Sequence, residues 1–295
     1  MGCETVHVSG PTTPSASPRP GPVGDPVVAA AGDIACAGDE ATPLGCQQLA
    51  TSDLLANARL TAVLALGDVQ YDAASPDNLR RFYDPTWGRL KSITHPVPGD
   101  HDYSGFDADG YFQYFGPQAG PAGKGYYSFD LGSWHLVALN AQCDDVGGCE
   151  RNSPQGRWLA ADLKAHPSKC LLAYWHEPRF STGERKDDLA VDPFWRLLYA
   201  AGAELVLNGD QHHYERFGPQ DPDGRATPRG IREIIVGTGG KNLQTFGSAP
   251  ASNSQVRNDR TFGVLMLTLH TNSYAWRFTP IKGQTFTDSG REKCR

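Results

Sequence analysis

The chain has 295 residues, of which 39% are hydrophobic and 20% charged, so it can bury one substantial core and divide into one or two domains. Its 27 basic and 33 acidic residues give a net charge of −6, a balance without the basic footprint of a nucleic-acid-binding protein. The sequence contains no apolar run near the roughly 18 residues that a membrane-spanning helix needs. The 33 glycines and 22 prolines are typical of a loop-rich α/β protein.

The first 25 residues differ in composition from the rest. After Cys3, residues 4–24 are rich in Ser, Thr, Pro and Gly, which predicts a linker or tether over 1–25 and one folded domain over 26–295. This stretch resembles a bacterial lipoprotein that begins at its lipidated cysteine, with the signal peptide absent from the sequence, so membrane attachment is expected only through a lipid on Cys3. Val6 disfavours myristoylation, which prefers Ser or Thr at that position. A free cysteine in a disordered tail is the alternative.

The other six cysteines are predicted from their positions to form three disulfides: Cys36–Cys46, Cys143–Cys149 and Cys170–Cys294. The first two would order short loops rich in Gly, Asp and Pro. A zinc site is the weaker interpretation, because the chain contains no C-x2-C pair. Disulfides persist in oxidising compartments, so we expect a secreted or cell-surface protein.

Apolar runs alternate with helical patterns along the rest of the chain. The predicted strands are Val27–Ala31, Ala62–Leu66, one around His95–Pro98, Tyr126–Asp130, Trp134–Asn140, Cys170–Trp175, Glu204–Leu207, Ile231–Val236, Gly263–Leu269 and Tyr274–Phe278. The predicted helices are Gln47–Arg59, Pro154 to about Ala165 with Ser153 as N-cap, and Asp192 to about Ala201. The pattern predicts an α/β fold without internal repeats.

Five of the predicted strand ends carry residues of the types that commonly ligate metal ions: Asp33, Asp68, the Asp100-His101-Asp102 cluster, His176, and the cluster from Asp210 to His213. In α/β folds, functional groups gather at the carboxyl ends of strands, where the strand orients the side chain and the loop leaves room. A single Gly-Asp pair more often marks a turn. Turn chemistry does not explain five such ends, so a metal site is predicted.

These segments resemble the ordered motifs of the calcineurin-like metallophosphoesterases: Gly32-Asp33, Gly67-Asp68-Val69-Gln70-Tyr71, Gly99-Asp100-His101-Asp102, His176-Glu177-Pro178, and Gly209-Asp210-Gln211-His212-His213-Tyr214-Glu215-Arg216. The tyrosine three residues after Asp68 and the Tyr-Glu-Arg run resemble the purple acid phosphatase branch, in a bacterial-type form without the N-terminal β-domain of the plant enzymes. The resemblance covers roughly residues 27–280. It implies a four-layer α/β/β/α sandwich.

The resemblance also implies residue roles. The first metal site, expected to hold Fe3+, consists of Asp33, Asp68, Tyr71 and His212. The second, expected to hold Mn2+, Mg2+, Fe2+ or Zn2+, consists of Asp68, Asp100, His176 and Asp210, with Asp68 bridging the two ions. The implied catalytic residues are His101, which would stabilise or protonate the leaving oxygen, and Asp102 as hydrogen-bond partner of its imidazole. His213 is a candidate substrate contact, with a partly exposed loop histidine as the alternative.

The implied activity is hydrolysis of small-molecule phosphate monoesters by hydroxide generated between two metal ions, as in acid phosphatases. Two departures bear on it, because Asp100 and Asp210 replace the Asn and His of the family's second metal site. An oxygen-rich site suits Mg2+ or Mn2+ better than zinc, and the short carboxylate of Asp210 is expected to reach the ion poorly. These departures leave a weakened pseudoenzyme or phosphate-binding module open. A phosphodiesterase also stays open, because it would share every ligand and differ only in the shape of its pocket.

Two further features are interpreted as structural. The run Gly237-Thr238-Gly239-Gly240-Lys241 suggests a phosphate-binding loop but lacks the G-x4-G-K-[ST] spacing, so a tight turn after a strand is predicted. Four histidines have no ligand-like context in the sequence and are expected to be structural: His95, His135, His166 and His270.

Overall fold

The computed structural model describes residues 24–37, 45–105, 107–167, 170–183, 188–247 and 249–295. Cys3 and the expected lipid attachment lie outside these residues. Within them, no helix is long and apolar enough to cross a membrane.

The described residues include thirteen strands: β1 (Val27–Ala31), β2 (Ala62–Leu66), β3 (Thr94–Val97), β4 (Tyr127–Leu131), β5 (Trp134–Ala138), β6 (Cys170–Tyr174), β7 (Leu205–Asn208), β8 (Tyr214–Phe217), β9 (Arg232–Val236), β10 (Ser254–Asn258), β11 (Gly263–His270), β12 (Ser273–Pro280) and β13 (Ser289–Lys293). They form a six-stranded sheet in the order β13-β12-β11-β1-β2-β3 and a seven-stranded sheet in the order β10-β8-β9-β7-β6-β5-β4. Strands β1, β2 and β3 are parallel, as are β5, β6, β7 and β9.

The α-helices are α1 (Gln48–Ala56), α2 (Pro76–Asn78), α3 (Asp100–Tyr103), α4 (Asp109–Phe115), α5 (Pro154–Ala165) and α6 (Asp192–Ala201). A π-helical turn covers Leu79–Tyr83, and 3₁₀ turns cover Trp87–Ile93 and Gly116–Ala119. Helix α5 begins as predicted, because the Ser153 hydroxyl accepts a hydrogen bond from the N–H of Gly156 at 3.0 Å. Helix α6 ends at Gly202, which has the left-handed φ of 79° that favours glycine.

Two hydrophobic cores explain why the central strands are apolar on both faces. One core lies between the sheets and includes Leu136 of β5, whereas the neighbouring Val137 packs in a second core with Phe194 and Trp195 of α6. Successive side chains of a strand point to opposite faces, so β5 contributes to both cores. Helices thus cover the outer faces of two packed sheets, as the predicted α/β/β/α sandwich requires.

All three predicted disulfides are present: Cys36–Cys46, Cys143–Cys149 and Cys170–Cys294. The last connects β6 of the seven-stranded sheet to the residue that follows β13 of the six-stranded sheet. It closes the longest loop, with a sequence separation of 124 residues. In the chain-entropy model a loop of that length contributes about 5 kcal/mol to the free energy of unfolding.

Candidate metal centre

The candidate site lies where the carboxyl ends of parallel strands from both sheets meet. Asp33 and Asp68 follow β1 and β2 of one sheet by two residues, and His176 and Asp210 follow β6 and β7 of the other by the same number. Asp100 is the first residue of α3 and follows the last residue of β3 by three positions. This placement is why residues far apart in sequence converge.

Three of the residues predicted for the first metal site surround the phenol of the fourth, Tyr71. The Tyr71 hydroxyl lies 2.7 Å from Asp33 Oδ1, 2.5 Å from Asp68 Oδ2 and 3.0 Å from His212 Nε2. His212 Nε2 is also 3.2 Å from Asp33 Oδ1. Four potential ligand groups therefore share a volume that a single ion can occupy.

The residues predicted for the second site form an adjoining cluster. His176 Nε2 lies 3.4 Å from Asp68 Oδ1 and 3.6 Å from Asp100 Oδ1. Asp100, His176 and Asp210 each offer a ligand atom, and these atoms lie within 4.8 Å of one another. Asp68 also groups with Asp33 and His176, so it is common to both clusters. One carboxylate oxygen of Asp210 thus lies within 4.8 Å of a ligand atom of Asp100 and of His176.

Glycines allow these strand ends to approach one another. A Cβ atom at Gly99 would lie 2.2 Å from Asp68 Oδ1, and one at Gly67 would lie 2.3 Å from His176 Nδ1. The ligand positions Asp33, Asp68 and Asp210 have left-handed φ angles of 59°, 48° and 64°. Aspartate adopts this conformation more readily than most residues, so each strand can turn sharply at its carboxylate.

Backbone carbonyls orient the two histidines. His176 Nδ1 lies 2.7 Å from the carbonyl oxygen of Leu66, and His212 Nδ1 lies 2.7 Å from that of Asn242. A carbonyl only accepts hydrogen bonds, so each Nδ1 carries the proton in the neutral ring. The bare Nε2 atoms then face the clusters, as in metal-ligating histidines.

The donor set fits metal ions. Asp33 Oδ2 and His176 Nε2 are buried, and neither has a hydrogen-bond partner among the described residues. Buried polar atoms of this kind are costly unless a partner or an ion compensates them. Carboxylates, a phenol and imidazoles are ligands of iron, manganese and zinc. The residues present can therefore hold two ions, with Asp68 shared.

The electrostatics of the cluster favour positive charge. Burial lowers the pKa of His176, but the carboxylates of Asp68 and Asp100 outweigh it and raise the pKa well above 6.5. Burial and the nearby Asp33 and Asp68 raise the pKa of Tyr71 well above 10. Both shifts have the same origin, an excess of acidic groups in a buried volume. A bound cation would neutralise part of this excess negative charge.

His101 and Asp102 have different partners from the predicted ones. His101 Nδ1 lies 2.9 Å from the carbonyl oxygen of Asp72, and its ring packs on Tyr71 at a centroid distance of 4.3 Å. The buried carboxylate of Asp102 instead accepts hydrogen bonds from the N–H groups of Gly99 at 3.0 Å and Val69 at 3.2 Å. Asp102 therefore connects the loops that follow β2 and β3. The partner of His101 Nδ1 is the Asp72 carbonyl and not Asp102.

The position of His213 does not support a substrate contact. Its side chain is 1% exposed, packs on Phe246 at 4.3 Å and has Nε2 3.5 Å from Glu215 Oε2. The alternative of a partly exposed loop histidine is also wrong. Consecutive residues entering β8 point to opposite sides, so His212 faces the cluster while His213 faces the interior.

A cavity of about 200 Å³ opens onto the clusters. Its lining residues are Asp68, Tyr71, Asp72, Asp100, His101, Asp210, His212, Lys241, Asn242 and Gln244. Asp72, Asn242 and Gln244 were not predicted to belong to a site, and Lys241 was interpreted as the end of a structural turn. Their position in the chain could have indicated residues 241–244, because they follow β9. This strand is parallel and adjacent to β7, so the two strands end at the same edge of the sheet.

A separate cluster, which shares no residue with the candidate metal centre, contains His135 and His166, two histidines that the sequence predicts to be structural. His135 Nδ1 is 2.7 Å from Asp130 Oδ1 and Nε2 is 2.9 Å from Asp162 Oδ2, while the ring of His166 stacks on that of His135 at 4.5 Å. His135, Asp162 and His166 could together hold an ion. Both nitrogens of His135 already have carboxylate partners, so we interpret the cluster as a structural ion pair between β4, β5 and α5.

No family model matches the chain. Among curated proteins, purple acid phosphatase 15 from Arabidopsis thaliana is 28% identical over 193 residues, which cover 58% of this chain and 35% of the relative. Acid phosphatase type 7 from Homo sapiens is 27% identical over 232 residues, which cover 66% of this chain and 52% of the relative. The matched segments thus span between about a third and a half of these relatives.

The solved structure of purple acid phosphatase PPD1 from yellow lupin (Lupinus luteus) seeds matches 94% of this chain and 55% of its own, with a TM-score of 0.70 and 18% identity. The fold is that of the metallophosphoesterases. A second structural neighbour is GAP50, described as the anchor in the inner membrane complex of Plasmodium, with a TM-score of 0.67, 14% identity and coverage of 92% of this chain and 89% of its own. The relatives and the fold support the calcineurin-like metallophosphoesterase superfamily.

Proposed function

We propose that the protein is a metal-dependent phosphomonoesterase of the acid phosphatase type. The observation that supports this best is the position of Asp68, which belongs to both candidate clusters. Asp33, Tyr71 and His212 would complete the first site, and Asp100, His176 and Asp210 the second. When bound, two such ions supply positive charge to phosphoryl oxygens and activate water for attack.

The chain's own residues would complete the site around the ions. His101 lines the cavity, and the Asp72 carbonyl accepts a hydrogen bond from its Nδ1, so Nε2 would donate a proton to a leaving oxygen from the doubly protonated ring. Asp102 would act by position, because it fixes the N–H of Gly99 at the start of α3. The cavity of about 200 Å³ suits a small phosphate ester.

We propose Fe3+ for the first site, where a tyrosine phenolate would be a hard anionic donor. Asp100 and Asp210 give the second site two carboxylates besides Asp68, and oxygen ligands suit Mn2+ or Mg2+ better than zinc. The geometry of Asp210 supports its inclusion, since its carboxylate shares a volume within 4.8 Å with Asp100 and His176.

The test is hydrolysis by the purified protein after reconstitution with iron and Mn2+. Rates on an aryl phosphate monoester and on the matched diester should be compared, with a chelator-treated sample as control. Preferential, metal-dependent cleavage of the monoester is expected. Preference for the diester would favour a phosphodiesterase, and no cleavage of either by metal-loaded protein would refute an esterase.

A non-enzymatic role is the second candidate. Asp100 and Asp210 depart from the family's metal ligands, and GAP50 shows that this fold occurs in a protein described as an anchor. Such a protein would bind orthophosphate or metal without turnover.

We also propose an extracytoplasmic location. The three disulfides support it, since such bonds persist in oxidising compartments. Attachment through a lipid on Cys3 remains part of this proposal, and mass spectrometry of the N-terminal peptide from the native host would test it.

A further inference from the structure

The glycine run after β9 ends in a lysine that the proposed chemistry has not yet used. Lys241 lines the cavity together with the ligand residues Asp68, Tyr71 and His212. Its Nζ lies 4.6 Å from the centre of the Tyr71 ring and 3.4 Å from Asp72 Oδ1. Its side chain is 22% exposed, so the ammonium is partly sheltered at the edge of the candidate metal centre.

The glycines position this lysine by close packing. A Cβ atom at Gly239 would lie 2.4 Å from the carbonyl oxygen of Gly32, and one at Gly240 would lie 2.4 Å from that of Ile34. Only glycine permits this approach of the loop to the end of β1. The run is a bend over residues 239–241 that is hydrogen-bonded to the segment after β1, not the predicted tight turn, and this packing places Lys241 at the cavity.

Hydrogen bonds connect the same segment to the metal ligands. The N–H of Lys241 donates to the carbonyl of Asp33 at 2.9 Å, and the N–H of Gln244 donates to that of His212 at 2.9 Å. The carbonyl of Asn242 accepts from His212 Nδ1 at 2.7 Å. Lys241 is therefore held in a fixed relation to two residues of the first site.

The charges of the residues that line the cavity indicate a role for Lys241 in binding an anion. Of the described residues that line it, four are aspartates, and Lys241 has the one permanent positive charge. The aspartates repel a phosphate dianion wherever metal ions do not neutralise them. The salt bridge to Asp72, whose side chain is 86% exposed, occupies one of three ammonium hydrogens and is weak in water.

We propose that Lys241 is a substrate-binding residue that donates a charge-assisted hydrogen bond to a phosphoryl oxygen of the ester and of orthophosphate. This inference rests on the proposed phosphoesterase function. The contact would be made in the ground state as well as in the transition state, so it should act mainly on KM. Tyr71 supports the ammonium through its ring face, which keeps the side chain directed over the cavity.

Three variants of the metal-loaded protein test this inference: Lys241→Met, Lys241→Arg and Lys91→Met. Lys91 is the matched control, because its Nζ lies 4.2 Å from the ring centre of Tyr114, away from the cavity. Calorimetry with inorganic phosphate measures binding without turnover, and steady-state kinetics on an aryl phosphate separate KM from kcat.

Lys241→Met should raise the Kd of orthophosphate and the KM about tenfold, at the lower end of what a charged hydrogen bond contributes. Its kcat should stay within about threefold, Lys241→Arg should recover most of the affinity, and Lys91→Met should match the parent. Unchanged phosphate affinity in Lys241→Met, an equal loss in Lys91→Met, or no phosphate binding by the parent would overturn the inference. A parent that binds phosphate through Lys241 but cleaves no ester would overturn only the proposed function.

Discussion

The sharpest test of the metal centre is Asp68→Asn, because this substitution removes one charge and leaves the local hydrogen bonds possible. Asp68 Oδ1 accepts from the N–H of His101 at 2.9 Å, and Oδ2 accepts from the Tyr71 hydroxyl at 2.5 Å. The new amide can keep its oxygen towards His101. Its NH2 group can then donate to the phenol oxygen, whose proton turns to Asp33 at 2.7 Å. The free energy of unfolding without metal should change by no more than about 1 kcal/mol.

Metal affinity should fall by much more than the metal-free stability, because both ions lose the anionic ligand that they would share. Changes to groups that merely orient a ligand lower metal affinity about 10–100-fold, so loss of a shared ligand should lower it at least about a hundredfold. At metal concentrations that stabilise the parent, this corresponds to about 2.7 kcal/mol of lost stabilisation. For a domain of this size the metal-dependent rise in Tm should shrink by about 5 °C.

The assay is thermal unfolding with and without metal, combined with metal content and turnover of an aryl phosphate. Asp84→Asn is the matched control, since Asp84 accepts a hydrogen bond from the Tyr114 hydroxyl at 2.6 Å outside the cavity. The control should retain metal and activity. If Asp68→Asn kept the parent's metal content and kcat/KM, Asp68 would not be shared by two ions and the proposed centre would be wrong.

The iron-loaded protein should show a visible charge-transfer band that Tyr71→Phe removes; a colourless parent with stoichiometric iron would contradict this ligand. Asp100→Asn combined with Asp210→His restores the family's residues and should raise kcat/KM by at least about tenfold, or about 1.4 kcal/mol. Each single substitution should raise kcat/KM by less. A fall in kcat/KM of the double variant would show that the acidic second site is adapted to its function. Although burial lowers the pKa of His135, hydrogen bonds to Asp162 and Asp130 raise it above 6.5. The contribution of His135 to the free energy of unfolding should therefore be full below pH 6.5 and be lost as the pH rises through the folded-state pKa. Urea titrations at several pH values should find this pH dependence reduced in His135→Gln.

The sequence by itself determined the central strands and the order of the strand-end motifs. Strands β1 and β2 and helix α5 have the predicted bounds, because their apolar runs and the Ser153-Pro154 start are strong local signals. The edge strands β10 and β13 were not predicted. Their sequences, SQVRN and SGREK, are polar because an edge strand faces solvent, and pairing with β8 and β12 supplies the order that their side chains do not.

Only the tertiary structure decided which residues share the site. It placed Asp210 within reach of His176, turned Asp102 towards Gly99 and Val69, and buried His213 against Phe246. It also brought Lys241 beside Asp33, about two hundred positions away in sequence, through a single backbone hydrogen bond of 2.9 Å. Motifs report which residue types follow each strand, but the direction of a side chain depends on loop packing between distant segments, which no local pattern contains.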